Sequence, residues 1–119
     1  MTNFEKLVEE ALALIPAELR AHVFNVQIVI EDEPSKALLD ELGVPAGEML
    51  YGLYSGTPLP ERTSEYAAFP DRITIYRRPL LADFIDPVEL RREVARTVIH
   101  ELAHHFGIPD ERLAALGWS

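Results

Sequence analysis

The sequence predicts a single small domain that combines helices and strands. A chain of 119 residues can enclose one hydrophobic core, and 48% of its residues are hydrophobic, as in folded globular proteins. Apolar residues recur at helical spacing near the start of the chain and again after Asp86. Three runs between these two segments are rich in β-branched and aromatic residues. A mixed fold of helices and short strands is therefore expected.

The first helix is predicted over Asn3–Ile15, where the apolar residues share one face. These residues are Phe4, Leu7, Val8, Ala11, Leu12 and Ile15. Asn3 is suited to cap the start of the helix, and Pro16 ends it because proline cannot continue a helical hydrogen-bond pattern. The next segment, Ala17–His22, is expected to form another helical turn.

The first strand is predicted over Val23–Glu31, a nearly continuous run of β-branched and aromatic residues. Such a run is typical of a central strand that is covered on both faces. A short helix is then predicted over Ser35–Leu42, with Gly43 at its C-terminal end.

Two further strands are predicted, at Met49–Tyr54 and at Arg72–Arg77, on either side of a long connection from Gly56 to Asp71. If the two strands pair as antiparallel neighbours, one of them is expected at a sheet edge near the long helix. An edge strand can hold an extended peptide by backbone hydrogen bonds.

The longest helix is predicted to follow a connector at Pro79–Asp83. Asp86 is suited to the N-cap and Pro87 to the first helical position. The residues expected in the core are Leu90, Val94, Ala95, Val98, Ile99 and Leu102. The polar residues of the opposite face are Glu93, Thr97, His100, Glu101 and His104. A short last helix is predicted over Asp110–Leu116, and Trp118 is expected to pack on the domain.

The polar face of the longest helix carries a His-Glu-x-x-His motif. His100 and His104 are four residues apart, so both rings project from one face, one turn apart. This spacing suits two imidazole nitrogens that bind one tetrahedral zinc ion. Glu101 lies about 100° round the helix. From there it can act as general base toward a water on the metal without taking a coordination position.

The residues after the motif predict a third ligand. Gly107 can adopt a positive φ and end the helix, so that the chain turns back. Asp110 is then expected to supply an oxygen ligand, and three protein ligands with one open position are typical of a catalytic zinc site. Alternatively, Asp110 is the N-cap of the last helix, and the two histidines are ordinary helix residues. His105 points away from the ligand face and is expected in solvent or in support of a ligand.

Composition and charge exclude several classes of function. The chain has no cysteine, so a metal must be bound by His, Asp or Glu. Eleven basic against twenty acidic residues give a net charge of −9, which argues against binding to nucleic acid or to an anionic membrane. No signal peptide or membrane-spanning segment is visible, and a cytoplasmic monomer is expected.

The sequence resembles the minimal zincin-like family of small bacterial proteins, which are classed as predicted metallopeptidases. The resemblance lies in three stretches: Leu50–Leu59, Ile73–Leu80 and His100–Asp110. It implies a single α+β domain in which a small sheet of about three strands packs on the active-site helix. The domain also has an N-terminal and a C-terminal helix. The resemblance also implies a zinc site of His100, His104 and Asp110, with Glu101 as general base.

Two functional hypotheses follow. The first is a zinc-dependent hydrolase, a metallopeptidase that acts on an unidentified peptide or protein. Help in stabilising the oxyanion is expected from one of four residues: Tyr51, Tyr54, Tyr76 or His105. The alternative is a non-catalytic, zinc-stabilised module that binds a peptide or protein. The small size of the chain favours it, as does the absence of a methionine after the third ligand, since the last methionine is Met49.

The identity of the metal also leaves alternatives. Two imidazoles and one carboxylate suit iron, nickel or copper as well as zinc by ligand type. The tetrahedral preference of zinc and the presence of Glu101 favour zinc. A third interpretation of the chain has no metal, with the histidines merely packed on a helix.

Overall fold

A computed structural model describes residues 3–23, 26–56 and 71–119. These residues form an α+β domain of helices and one three-stranded sheet, as predicted. In chain order the elements are α1 (Asn3–Leu12), α2 (Ala17–Val23), β1 (Val26–Glu31), α3 (Lys36–Leu42), β2 (Gly52–Ser55), β3 (Asp71–Tyr76), α4 (Arg77–Asp83), α5 (Pro87–Phe106) and α6 (Asp110–Ala115). The predicted connection from Gly56 to Asp71 lies almost entirely outside the described residues. No helix among those described is long and apolar enough to cross a membrane.

The strands are arranged in the order β1-β3-β2. β1 is parallel to β3, and β2 is antiparallel to β3 with Leu53 opposite Thr74. The second and third strands thus pair as antiparallel neighbours, which was the condition for expecting one of them at a sheet edge. In the described part of the chain β2 lies at one edge of the sheet, next to α5.

The prediction that the first strand is central is wrong, because β1 lies at the other edge of the described sheet and β3 is central. β1 also begins at Val26, because α2 continues to Val23. The apolar residues of β1 are half-buried on both of its faces, which explains the continuous apolar run. A continuous apolar run indicates that both faces of a strand are covered, but it does not indicate whether the strand has one or two neighbouring strands.

The hydrophobic core is built around α5. All six apolar residues predicted for its inner face are at most 5% exposed. α1 contributes Phe4, Val8 and Ala11 to the same cluster, and β3 contributes Ile73 and Ile75. Fully burying a Val, Leu, Ile or Phe side chain contributes roughly 1.5–3 kcal/mol. Packing on two sides therefore holds α5 rigidly and fixes the direction of its polar face.

Both ends of α5 are defined by the local signals that the sequence carries. Asp86 is the N-cap, and its carboxylate accepts a hydrogen bond from the Glu89 backbone N–H at 3.0 Å. Pro87 occupies the first turn, where its missing N–H leaves no partner unsatisfied. Gly107 ends the helix in the left-handed conformation with φ 70°, as predicted.

The segment predicted as a connector, Pro79–Asp83, belongs instead to the helix α4. Pro79 lies in the first turn of α4, where backbone N–H groups have no intrahelical acceptor, so a proline is tolerated. Leu80 is fully buried and anchors this helix to the core. The proline therefore marks the start of a helix and not a loop.

The close packing of β2 against α5 depends on Gly52. A Cβ atom at this position would lie 2.6 Å from Cγ2 of Thr97 and 3.1 Å from the carbonyl oxygen of Thr74. We expect Gly52→Ala to lower the free energy of unfolding by about 1–3 kcal/mol, because overpacking forces β2 away from the helix. Urea denaturation measures the change.

The matched double variant adds Thr97→Ser to Gly52→Ala. Serine lacks Cγ2 but keeps the hydroxyl that donates to the Glu93 carbonyl at 2.8 Å. We expect the serine substitution to recover part of the loss caused by the alanine. Strictly additive effects of the two substitutions would show that this contact does not set the distance between β2 and α5.

Candidate metal and active site

The three predicted ligands line one cavity beside α5. The cavity has a volume of about 310 Å³, and its lining residues are His100, His104, Asp110, Leu113 and Ser119. His100 is half-buried, whereas His104 and Asp110 are exposed. The helical spacing of the two histidines and the turn at Gly107 together bring these side chains to the same cavity.

The donor types around this cavity fit zinc, which is commonly bound by imidazole nitrogens and carboxylate oxygens. As they stand, no three His, Asp or Glu side chains in residues 3–23, 26–56 and 71–119 are close enough together to hold a metal ion. His100, His104 and Asp110 would therefore have to move toward one another to enclose it. They remain a predicted ligand set.

Asp110 is the first residue of α6, and Pro109 is the N-cap. The alternative in which Asp110 caps this helix with its side chain is therefore wrong. Its carboxylate is exposed and lies on the cavity lining, where a ligand to the metal is expected. The start of α6 thus leaves this side chain available for another role.

Glu101 lies on the side of α5 that faces β2. Burial raises the pKa of the Glu101 carboxyl above its ordinary value, while His104 and a hydrogen bond from the backbone N–H of Tyr54 act in the opposite direction. The carboxylate is therefore held against the strand and partly removed from water. A half-buried carboxylate with one anchoring contact is suited to accept a proton.

A groove of about 280 Å³ runs between β2 and α5. One wall is formed by Met49–Gly52, and the other contains Glu93, Arg96 and Thr97 together with His100 and Glu101. The predicted edge strand next to the helix site is thus present in the described part of the chain. An extended segment that lies in this groove would pass His100 and Glu101, two of the predicted site residues.

Of the three tyrosines predicted as oxyanion donors, two have other partners and the third is buried. The hydroxyl of Tyr51 donates to Asp83, and this hydrogen bond, together with burial, raises the pKa of Tyr51 to about 12. The hydroxyl of Tyr54 donates to Asp71 at 2.5 Å. Tyr76 is only 2% exposed, within the sheet. None of the three is assigned to the oxyanion.

His105 supports Tyr54. The two rings stack with centroids 4.0 Å apart, and the His105 Nε2 atom lies 3.6 Å from a carboxylate oxygen of the buried Asp71. The expectation that His105 points off the ligand face and supports another residue fits these contacts, whereas a position in solvent does not, since its side chain is 14% exposed. The backbone N–H of Tyr54 also donates to the Glu101 carboxylate. The contacts of Tyr54 with His105 and Asp71 therefore hold β2 beside the predicted base.

Two contributions to the site are not evident in the sequence. In the sequence, Asp71 is only the end of the predicted connection from Gly56, and no local pattern indicates that it contacts Tyr54 and His105. Trp118 is expected only to pack on the domain, and it is indeed 7% exposed. Its carbonyl oxygen also lies 2.9 Å from the Nε2 atom of His100. A backbone carbonyl is present in every residue, so no sequence signal marks this contact.

The chain matches the model of a known protein family and resembles a solved structure. A family model described as zincin-like metallopeptidase matches residues 23–118. Among solved structures, a conserved hypothetical protein from Thermus thermophilus has a TM-score of 0.58 and 24% sequence identity, with 94% of each chain covered. At this identity the likeness concerns the fold alone. No match was found among the curated proteins.

Proposed function

This chain belongs to the zincin-like metallopeptidase family, and from that premise we propose that it is a zinc-dependent hydrolase that cleaves peptide bonds. The observation that carries the proposal is that His100, His104 and Asp110 line one cavity, while Glu101 lines the adjoining groove. The two imidazoles and the Asp110 carboxylate form a set of metal donors. The half-buried carboxylate of Glu101 is a base beside that set. This combination is typical of hydrolytic zinc sites.

In this proposal His100, His104 and Asp110 hold the metal. Zinc, when bound, supplies a Lewis acid that polarises a carbonyl oxygen and lowers the pKa of water to about 7. Glu101 accepts the proton of the attacking water on its carboxylate and passes it to the leaving amine. The hydrogen bond from the Tyr54 backbone keeps that carboxylate directed to the groove.

The groove between β2 and α5 is proposed to hold the substrate. β2 pairs with β3 on one side, and within the described residues no strand pairs with its other side. An extended peptide can therefore add to β2 by backbone hydrogen bonds, as in other cases of strand addition. Its side chains would meet Met49 and Leu50 on one wall and Arg96 on the other.

A second candidate function is a zinc-stabilised module that binds an extended peptide without cleaving it. The observation that favours it is the same edge position of β2 in the described sheet, because strand addition requires no chemistry. The half-buried Glu101 favours the hydrolase, since a binding site has no need of a carboxylate held beside the metal ligands. Solvent access to the metal distinguishes the two functions.

The test is cleavage of a peptide library by the zinc-loaded protein, followed by mass spectrometry of the new termini. We expect cleavage that stops when a chelator removes zinc, returns when zinc is restored, and is blocked by a hydroxamate. Capture of peptides without any cleavage by the zinc-loaded protein would contradict the hydrolase and support the binding module.

A further inference from the structure

A second cavity adjoins the groove between β2 and α5 at the end that is farther from the predicted ligands. This cavity, which we call the end pocket, has a volume of about 260 Å³ and is lined by residues within 33–39, 48–50 and 78–82. Met49 and Leu50 line both the end pocket and the groove. The two cavities therefore meet at these two residues, and the groove that passes Glu101 continues into the end pocket.

The end pocket has an apolar floor and a charged rim. Pro79 is buried and Leu39 is half-buried, so both lie in the floor. The charged lining residues Glu33, Glu48 and Arg78 are exposed, and Arg78 pairs with Glu33 at 3.4 Å. Burial of apolar surface is therefore the main contribution that this cavity can make to binding, which favours an apolar side chain as its occupant. The apolar lining residues are Pro34, Leu39, Met49, Leu50, Pro79 and Ala82.

The walls of the end pocket are tied together by contacts that require no ligand. The backbone N–H of Arg78 donates to the carbonyl of Asp32 at 2.8 Å, which joins the start of α4 to the connection after β1. The hydroxyl of Tyr51 donates to Asp83, and the Tyr51 ring lies against Phe84 with centroids 5.7 Å apart. The segment that leads into β2 is therefore held against the end of α4, and the end pocket is formed before a ligand binds.

Met49 lies on the boundary between the two cavities, and it is 47% exposed. Methionine is unbranched and has three rotatable bonds, so it adapts its shape to apolar partners and is common at adaptable binding surfaces. At this position its side chain can pack against a peptide that passes from the groove into the end pocket.

The length of the strand sets the distance between the end pocket and the predicted general base. Tyr54 is beside Glu101, because its backbone N–H donates to the Glu101 carboxylate. Leu50 precedes Tyr54 by four residues and Met49 precedes it by five. A strand rises about 3.3 Å per residue, so the end pocket begins about 13–17 Å from the base along the strand. An extended peptide added to β2 reaches it with the fourth or fifth residue from the scissile bond.

We propose that the end pocket is a distant subsite of the hydrolase, which binds an apolar side chain of the substrate four or five residues from the scissile bond. The occupant is the substrate peptide itself, because the end pocket continues the groove that passes Glu101. Binding energy gained so far from the reacting bond makes a long peptide a better substrate than a short one. This inference rests on the proposed function and adds the length and the side-chain class of the substrate.

The test uses peptide hydroxamates bound to the zinc-loaded protein, because the hydroxamate fixes one end of the peptide at the metal. Two series of alanine chains carry the hydroxamate at the N-terminal or at the C-terminal end, with a single leucine two to seven residues away from it. Isothermal titration calorimetry measures each Kd. We expect leucine to tighten binding most at the fourth or fifth residue of one series, by about 10–100-fold. A gain that peaks at another residue, or no gain in either series, would overturn the inference.

Two variants assign the gain to the end pocket. Ala82→Phe fills the cavity from α4, and Leu39→Ala removes part of its floor, so both are expected to lose most of the gain from leucine. The matched control is Ala37→Phe, at an exposed position of α3 that lines neither cavity, and it is expected to keep the gain.

Circular dichroism verifies that each variant is folded. Ala82 is exposed, so Ala82→Phe decides the question if Leu39→Ala does not fold. An undiminished gain from leucine in Ala82→Phe would overturn the subsite.

The hydroxamate measurements separate this inference from the proposed function. Failure of every hydroxamate to bind would overturn the subsite together with the open metal site. Binding of the hydroxamates without a gain from leucine would overturn only the subsite. A gain at the fourth or fifth residue that is lost in Ala82→Phe, in a protein that cleaves no peptide, would support the subsite and contradict only the hydrolase.

Discussion

Glu101→Gln is expected to reduce the rate of peptide hydrolysis by about 10²–10⁴-fold, the usual contribution of a positioned general base, while zinc stays bound. Glutamine has nearly the same shape as glutamate, and its amide oxygen can still accept the hydrogen bond from the Tyr54 backbone. It cannot take up a proton at neutral pH. The variant therefore removes the base without removing a predicted ligand or the contact with β2. The measurement is kcat/KM for a verified peptide substrate, with zinc content determined on the same preparation.

The matched control for this variant is Glu93→Gln. Glu93 lies two turns earlier on α5 and lines the same groove, and its carboxylate pairs with Arg96 at 3.6 Å. The control removes an equal charge from the groove, so any loss from charge alone would appear in both variants. Hydrolysis by Glu101→Gln at the wild-type rate would show that Glu101 is not the base.

His104→Ala is expected to abolish the stabilisation of the protein by zinc. A ligand present at one hundred times its Kd stabilises the native state by about 2.7 kcal/mol, because it binds the folded chain and not the unfolded one. His104 is exposed on α5, and alanine is the better helix former, so the metal-free variant should be as stable as the metal-free wild type. Thermal unfolding with and without added zinc measures the difference.

His22→Ala provides the comparison for the zinc-linked stability. The ring of His22 packs on Phe106 with centroids 4.4 Å apart, and His22 does not line the cavity of the predicted ligands. This variant should be less stable than the wild type without zinc but should gain as much from zinc. A gain in His104→Ala equal to that of the wild type would remove His104 from the ligand set.

The features that the sequence predicts well are those that depend on neighbouring residues. The limits of α5 follow from Asp86, Pro87 and Gly107, whose backbone preferences act within one turn. The spacing of His100 and His104 likewise predicts that both side chains face the same way, since helical geometry relates them directly. These features do not require knowledge of the rest of the fold.

The errors concern features that depend on tertiary structure. The apolar run of β1 predicts covered faces, but its position at the sheet edge depends on the pairing with β3. Pro79 is compatible with both a connector and the first turn of a helix, and the burial of Leu80 in the core favours the helix. Local pattern alone cannot choose between these outcomes.

In the candidate site, too, the features set by neighbouring residues could be predicted, and the contacts between distant segments could not. The residues of the His-Glu-x-x-His motif could be identified because they are adjacent on α5. The buried Asp71 meets Tyr54 and His105 only after the sheet and α5 have packed together. The Trp118 carbonyl reaches His100 because Gly117 and Arg92 direct the chain back, and a backbone oxygen carries no signature in the sequence. Contacts between distant segments therefore depend on the tertiary structure and leave no local pattern in the sequence.

The central claim is that this protein binds zinc through His100, His104 and Asp110, and the most direct test is the metal content per chain. The measurement is elemental mass spectrometry of protein purified without a histidine tag or a chelator. We expect about one zinc ion per chain, which is lost in His100→Ala and held more weakly in Asp110→Ala. A wild-type protein that contains no metal, and takes up none from added zinc, would contradict the metal site and the hydrolase together.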